Sequence, residues 1–514
     1  MKKKYLAIFA IILILAVFSR FLSLDLRPVH HDEGMLSYFA WQLAQGGGYT
    51  YTPQIHGPIL FYLQALFFKL LGTGDAVVRA VPALFGTILV ALPLFFWRKL
   101  GIRRAIAVSF LFLTSPLLVY FSRFLVHSAL VIVANFLIVL LIWLFCKSLR
   151  PLYLYLLAVF LAIAFGISET SYIFTATMVL YLPIFRLFYP KQFYSLWKKL
   201  KRFVLVNYLD LVSAFLLFVL LWILIYSVGL TSSTSLIRSL PNPFSYDSGL
   251  GFWLAQHEKR LGNQPWYYYF ILLVVYEPII LLGTVLAAVQ AVKRRSGGLF
   301  CLVVFLAVAN FAAYSFAGEK FPWLVLPTLV LFAFAAGIYI GDNYQKLKLV
   351  PKTILFLLVA FSLFNVYRLN YLDPADTREL ATYVQTPNSF RQIVSKVNAV
   401  CRYQDNNCVL IDPNISWPLS WEFRQYGRLD NLDLPQTVSE KTKFIFADLQ
   451  KAEKFNNNGF LAKQVQLRDW WVPPVCRQFD CALKFINYFI YREIWGSKGG
   501  YEIMVLSRDS LDIK

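Results

Sequence analysis

Lys2 to Glu33 reads KKKYLAIFAIILILAVFSRFLSLDLRPVHHDE. Three lysines lead into an apolar run, and the run is followed by two imidazoles and two carboxylates. An apolar run of about 20 residues crosses a bilayer as a helix, because in hydrocarbon each backbone N–H and C=O must be paired within its own segment. Charge close to lipid is costly, so Asp32 and Glu33 are expected to face a polar cavity or a ligand. The same run has the basic start and apolar middle of a signal peptide. No small-x-small cleavage pattern precedes Arg20, and the run is read as a retained first helix.

Beyond this stretch the chain repeats the pattern. With 58% hydrophobic residues among 514, it is expected to be an integral membrane protein of the plasma membrane. Hydropathy gives about eleven spans, near 5–24, 76–97, 104–121, 128–146, 151–167, 170–188, 207–228, 267–291, 298–316, 322–341 and 353–370. The net charge of +21 would suggest nucleic acid in a soluble protein, but residues 1–370 hold 31 Lys+Arg against 11 Asp+Glu, and the remainder 18 against 17. The basic excess therefore lies in the membrane half, clustered on every second connection: Lys2 to Lys4, Arg98 to Arg104, Lys147 to Arg150, Arg186 to Arg202, Lys293 to Arg295 and Lys346 to Lys352. By the positive-inside rule that side is cytoplasmic, the N-terminus is inside, and nucleic acid is not an expected partner. All five histidines and nine of the eleven acids of the membrane half then fall on or near the outer side. A transporter would gather polar groups near the midplane; here Glu277 alone does so.

Two outer loops carry most of the chemistry. Residues 25–75 contain GMLSYFAWQLAQGG and GPILFYLQALFFKLLG, which are apolar at helical spacing but short for spans and are read as interfacial helices separated by Gly46 to Gly48 and Pro53. Residues 229–266 lead through His257, Glu258, Lys259 and Arg260 to Pro265-Trp266-Tyr267. Their aromatics suit the headgroup zone. A short connection, AGEKFPW, places Glu319 and Lys320 between two spans. Residues 371–514 turn abruptly polar at Asp373-Pro374 and read as an extracytoplasmic α/β domain, with strands at 407–411 and 443–449 and an amphipathic helix over 376–399. This domain holds Cys401, Cys408, Cys476 and Cys481. Two disulfides are expected there in any of three pairings, ahead of zinc, since the spacings are poor ligand patterns and the domain has no histidine.

HHDEGMLSY, IHGPILFYLQ, SPLLVYFSRF, FGISETSY, GFWLAQHEKRLGNQPWYYY and YSFAGEKFPW, in this order, resemble the successive motifs of a prokaryotic flippase-activity-associated family. That family is related to protein O-mannosyltransferases and belongs to the glycosyltransferase C superfamily. The resemblance covers the membrane half, 1–370, and weakens over 371–514. It implies a mainly α, polytopic fold. The activity it implies is inverting transfer of a sugar from a polyprenyl-phosphate-linked donor, at the external membrane face, to a glycan, lipid or protein acceptor. Flipping of lipid-linked saccharide, or assistance to it, is the alternative that the family's name leaves open. Movement of larger glycans by a ligase or polymerase is a third reading. No dinucleotide-binding fingerprint is present, in keeping with a lipid donor.

Carried onto this chain, the resemblance puts Asp32 at the catalytic centre with Glu33 beside it. A carboxylate can accept the proton of an attacking hydroxyl while cations stabilise the departing phosphate. The competing structural role is capping, with Asp32 as the cap of the following helix and Glu33 in its first turn. His30 and His31 are candidate phosphate or hydrogen-bond partners. A divalent metal on them is possible by residue type, but adjacent side chains in an extended segment point apart, and no metal or other cofactor is assigned. His56, Arg123, His127, His257, Arg260, Glu319 and Lys320 are candidates for donor or phosphate binding, with Glu169 a further polar candidate and Trp266 and Tyr267 interface anchors. Arg123 has snorkelling as its alternative. The family pattern carries a second arginine and an acid near 126–128, where this chain has Val126, His127 and Ser128, so no second acidic site is transferred there.

Overall fold

A computed structural model describes residues 3–260, 262, 264–294, 298–403, 407–430, 432, 438–452, 459–474 and 481–508. The chain divides into two compact units. The first comprises Met1–Leu22, Gly48–Leu63 and Arg79–Tyr367, and the second Ser23–Gly47, Gln64–Val78 and Arg368–Lys514.

The first unit is helical, and helices occupy each of the expected spans, but the count of about eleven is not confirmed. Among the described residues seven helices are long and apolar enough to cross a membrane: Lys3–Phe21, His127–Ser148, Thr170–Phe188, Tyr208–Tyr226, Leu299–Phe316, Pro322–Lys346 and Leu349–Leu372. The others are short or broken. Ala80–Phe95 and Pro151–Ile167 fall short in length. The span expected at 104–121 divides into Ile102–Thr114 and Pro116–Phe121, because proline cannot supply the N–H that would continue the helix. The span expected at 267–291 divides in the same way at Glu277-Pro278, where Tyr268–Tyr276 and Pro278–Lys293 meet at 111°. Counted as one, this pair makes an eighth span. Glu277 sits at the break, buried, accepting from the Ser115 hydroxyl at 2.6 Å and the Leu117 N–H at 3.0 Å.

His127–Ser148 and Leu326–Asn343 are buried along most of their length and form the centre of this unit. Gly337 lets the second of them approach Ile102–Thr114, since a Cβ there would lie 2.6 Å from the Val108 side chain. Thr170–Phe188, Tyr208–Tyr226 and Leu349–Leu372 instead bury few of their side chains within the protein, as helices do where lipid is the solvent.

The second unit is built on a five-stranded sheet of β1 (Val409–Ile411), β2 (Gly427–Leu429), β3 (Phe444–Asp448), β4 (Leu461–Trp470) and β5 (Gly499–Ser507). Their order is β2-β1-β3-β5-β4. β1 is parallel to both of its neighbours, and β5 is antiparallel to β3 and β4. The helix expected over 376–399 is Asn388–Cys401. Pro387 precedes it in extended conformation, and proline disfavours a helical residue before it. Its face of Phe390, Ile393, Val394, Val397 and Cys401 packs with Ile411, Phe446 and Val505 of the sheet. Cys401 and Cys408 are disulfide-bonded. Cys481 is also in a disulfide, and Cys476 lies outside the described residues. Helix His31–Ala44 belongs to this unit, with Gly34 against Pro418 and Tyr38 and Phe39 around the Trp417 ring.

Candidate functional site

The second unit holds the His30 to Glu33 segment. Helix His31–Ala44 begins with a capping box: the His30 side chain accepts from the Asp32 N–H at 3.1 Å, and Glu33 accepts from the His30 N–H at 3.2 Å. The cap is therefore His30 and not Asp32. Glu33 also accepts from Arg27 at 3.0 Å, with its side chain 0% exposed. A carboxylate so enclosed is consumed by holding the loop to the helix. Asp32 is left 27% exposed, with Oδ1 3.2 Å from His31 Nε2 and Oδ2 3.9 Å from His30 Nδ1.

The two imidazoles do not point apart. Their centroids are 4.1 Å apart, because the His30 ring folds back over the helix start to serve as its cap. His30 Nε2 meets the Tyr383 carbonyl at 2.9 Å and His31 Nδ1 the Val384 carbonyl at 3.3 Å. Burial, reinforced by His31, holds His30 well below the usual histidine range, so it is neutral at pH 7. Burial also lowers His31, against the raising effect of Asp32. Among the described residues His30, His31 and Asp32 form the one group whose ligand atoms lie close enough for a metal, within 4.8 Å of one another. Both nitrogens of His30 are already hydrogen-bonded, so metal ligation by His30 would cost the helix its cap. Sequence reasoning missed Arg468 on β4. Its charge acts on Asp32 and His31, its guanidinium donates to the Trp417 carbonyl, and its Nε is buried without a partner among the described residues. A single arginine on a strand gives no sequence signal of this role.

The first unit contains a cavity of about 470 Å³ lined by His56, Glu169, Tyr172, Trp253, His257, Glu319 and Trp323 with Ile173, Leu250, Leu254, Phe316 and Leu324. Glu169 stands at the junction between Pro151–Ile167 and Thr170–Phe188. Its carboxylate meets His56 Nδ1 at 2.7 Å and accepts from the Tyr51 hydroxyl at 2.6 Å. Burial and the Glu169 charge push the Tyr51 phenol far above its usual range, so it stays a donor. The His56 ring stacks on Trp253 with centroids 4.6 Å apart and planes at 7°. The contact with the carboxylate fixes the orientation of the His56 ring through Nδ1. His127 lies 5.0 Å from His56, ring to ring.

On the far wall, His257 Nδ1 accepts from the Gly318 N–H at 3.0 Å. That contact requires glycine: a Cβ at 318 would sit 2.0 Å from the His257 carbonyl oxygen. Trp253 and His257 share a face of helix Gly249–Lys259 by their spacing of four, which was legible in FWLAQHEK although Trp253 was not singled out. Tyr51 carried no such signal.

The remaining candidates lie otherwise. Lys320 is buried and donates to the Ala317 carbonyl; burial, with Arg260 nearby, lowers its pKa. Arg260 is exposed at the end of its helix. Arg123 is buried, donating to the carbonyls of Arg20 and Leu22 at 3.2 and 2.6 Å, and so satisfies the end of the first helix. Trp266 is exposed beside Tyr267.

With this geometry in hand, comparison with known proteins is informative. Residues 55–222 match the model of a family described as dolichyl-phosphate-mannose-protein mannosyltransferase. No curated protein matches the chain. Among solved structures it is similar to ArnT from Cupriavidus metallidurans bound to undecaprenyl phosphate, with TM-score 0.62, 12% identity, and 99% of each chain covered. ArnT from the same organism in the apo state gives TM-score 0.63 at 11% identity over 97% of each chain. The resemblance to protein-mannosyltransferase-related proteins that the motifs carried is supported over 55–222 by the family match, and the mainly helical membrane fold with a small C-terminal sheet domain is borne out.

Proposed function

We propose that this protein is an inverting membrane glycosyltransferase. It takes a sugar from a polyprenyl-phosphate-linked donor and passes it to an acceptor hydroxyl at the external membrane face. The observation that carries the reading is the cavity of the first unit. It combines a carboxylate–imidazole pair, aromatic faces and an apolar wall, the mixed lining that an amphiphilic lipid-linked sugar requires. The family match over 55–222 supports sugar transfer. The likeness to a fold that holds undecaprenyl phosphate in ArnT supports the donor class.

In the reaction, the acceptor oxygen bonds to the anomeric carbon as the bond from that carbon to the phosphate oxygen breaks. The electron pair leaves on the polyprenyl phosphate, and the proton of the attacking hydroxyl goes to a carboxylate. We assign that role to Asp32, the carboxylate of its cluster that remains accessible while Glu33 is enclosed. His31 Nε2, 3.2 Å from Asp32 Oδ1, and the charge of Arg468 are the groups of this unit that act on its carboxylate. Residues 25–75, 229–266 and the C-terminal domain are assigned to the external side by the basic residues of the opposite loops.

The test is transfer of radiolabelled sugar from polyprenyl-phosphate donors by the purified protein in nanodiscs, with cell-envelope acceptors, comparing wild type with Asp32→Asn. Label in an acceptor with wild type and its loss in the variant is the expected result. Movement of intact lipid-linked sugar between leaflets with no new glycosidic bond would overturn transfer in favour of flipping.

A further inference from the structure

A second cavity, also of about 470 Å³, lies wholly within the second unit, and neither the motifs nor the proposed chemistry accounts for it. One wall is a polar stripe on helix Asn388–Cys401 and its end. Arg391, Ser395, Asn398 and Arg402 recur at spacings of four, three and four and so share a face. The opposite wall follows helix Ser416–Glu422 and carries Glu422, Arg424 and Gln425, with Thr73 and Asp75 at the edge.

Arg424 is the fixed point. Its guanidinium stacks 3.8 Å from the Trp421 ring and donates to the Trp421 carbonyl at 2.6 Å and the Thr73 carbonyl at 2.8 Å. Glu422 and Asp75 act on it electrostatically. Its Nε, and Oδ1 of Asn398, are buried without hydrogen-bond partners among the described residues. Unsatisfied groups of this kind are costly and are expected to meet a ligand or water. One of the two is a donor and the other an acceptor.

We infer that this cavity is a saccharide-binding subsite, taking a hydroxyl-rich oligosaccharide segment. A sugar hydroxyl donates and accepts at once, so one ligand can satisfy the arginines and also Asn398, Glu422 and Asp75. An inorganic anion such as phosphate offers acceptors to the arginines but sets its own negative charge against Glu422 and Asp75 in the same lining. That the oligosaccharide is part of the transfer acceptor rests on the proposed function; that the cavity binds saccharide does not.

The full-length protein in nanodiscs, displayed to an array of oligosaccharides, tests the assignment, followed by titration calorimetry with the best-bound member and, separately, with inorganic phosphate. Saturable binding is expected to weaken about tenfold or more in Arg402→Glu and in Asn398→Leu and to persist in Asp32→Asn. Arg402 is exposed, so its replacement leaves the fold intact where Asn398→Leu fails to fold. No bound oligosaccharide, equal binding by both folded variants, or tighter binding of phosphate would each overturn the assignment. If binding behaves as expected while wild type transfers no sugar, the transferase reading falls and the subsite stands; transfer without such binding gives the reverse.

Discussion

Asp32 and Glu33 are adjacent in sequence and opposite in situation, and this can be put to a quantitative test. Glu33 is fully enclosed and bonded to Arg27, itself buried, at 3.0 Å. Glu33→Gln removes one charge of a buried pair and leaves the other uncompensated, which costs about 3–5 kcal/mol. At roughly 2–4 °C per kcal/mol for a unit of this size, melting of the second unit falls by roughly 6–20 °C. Asp32→Asn changes a side chain that is 27% exposed, and surface-type changes usually cost within about 0.5 kcal/mol. It should melt close to wild type while losing about 10²- to 10⁴-fold in transfer rate, the range of a general base.

The assay is a melting curve of the nanodisc-embedded protein, read alongside sugar transfer at a temperature where all variants are folded. A double variant, Arg27→Met with Glu33→Leu, sharpens it, since replacing a buried pair by apolar side chains of similar volume is often neutral. The double variant should recover most of the lost melting temperature and retain transfer. If Glu33→Gln melts like wild type yet abolishes transfer, Glu33 is chemical and the division of labour drawn here is wrong. If Asp32→Asn retains more than about a tenth of wild-type transfer, the base is elsewhere.

His30 supplies a pH test. Its folded-state pKa lies well below the ordinary value of 6.5, so unfolding takes up a proton. The stabilisation is present above pH 6.5 and is lost as pH falls from there towards the folded-state value, at up to about 1.4 kcal/mol per pH unit. Melting measured from pH 8 to pH 5 should fall in that acid range, and less steeply in His30→Asn, which caps without titrating; an equal slope in both proteins would refute the assignment. Trp253→Ala removes the face against which His56 stacks, a contact of about 0.5–1.5 kcal/mol. The KM for the lipid-linked donor should rise roughly two- to tenfold in steady-state transfer assays, and an unchanged KM would remove Trp253 from the donor site. Cys401 and Cys408 close a loop of sequence separation 7. Replacing both by serine should cost the second unit about 2–3 kcal/mol by loop entropy, seen as a lower urea midpoint; no shift would mean that the denatured loop is already constrained.

The membrane half was legible because lipid imposes one rule on every span, and apolar runs of the required length stand out in composition alone. What the runs did not disclose was continuity. Pro116 and Pro278 lie inside apolar stretches that hydropathy averages over, yet each removes a backbone donor and divides a span. Glu277 lay in such a stretch as an unexplained acid, and the break explains it: the carboxylate pairs with Ser115 and Leu117 across the unit.

At the candidate site, residue type singled out stretches but did not tell how the side chains inside them pair. HHDE gave no means of telling which acid would be enclosed, because that depends on Arg27, placed by the loop, and on His30 taking the cap from Asp32. The same cap brings the two rings together where extended spacing would part them. Glu169 and His56 were both singled out, 113 residues apart, but their pairing through Nδ1 was invisible until the helix junction and the turn at Pro53–Ile55 were placed. Chemical candidates are thus read from composition and order, whereas the choice between structural and reactive duty is made by hydrogen-bond supply. A carboxylate that accepts two protein donors in a closed setting, as Glu33 does, is poorly placed to take a substrate proton. Asp32, 27% exposed, is the carboxylate to which the proposed reading gives that proton, and this difference makes Asp32→Asn the decisive substitution for the proposed transfer.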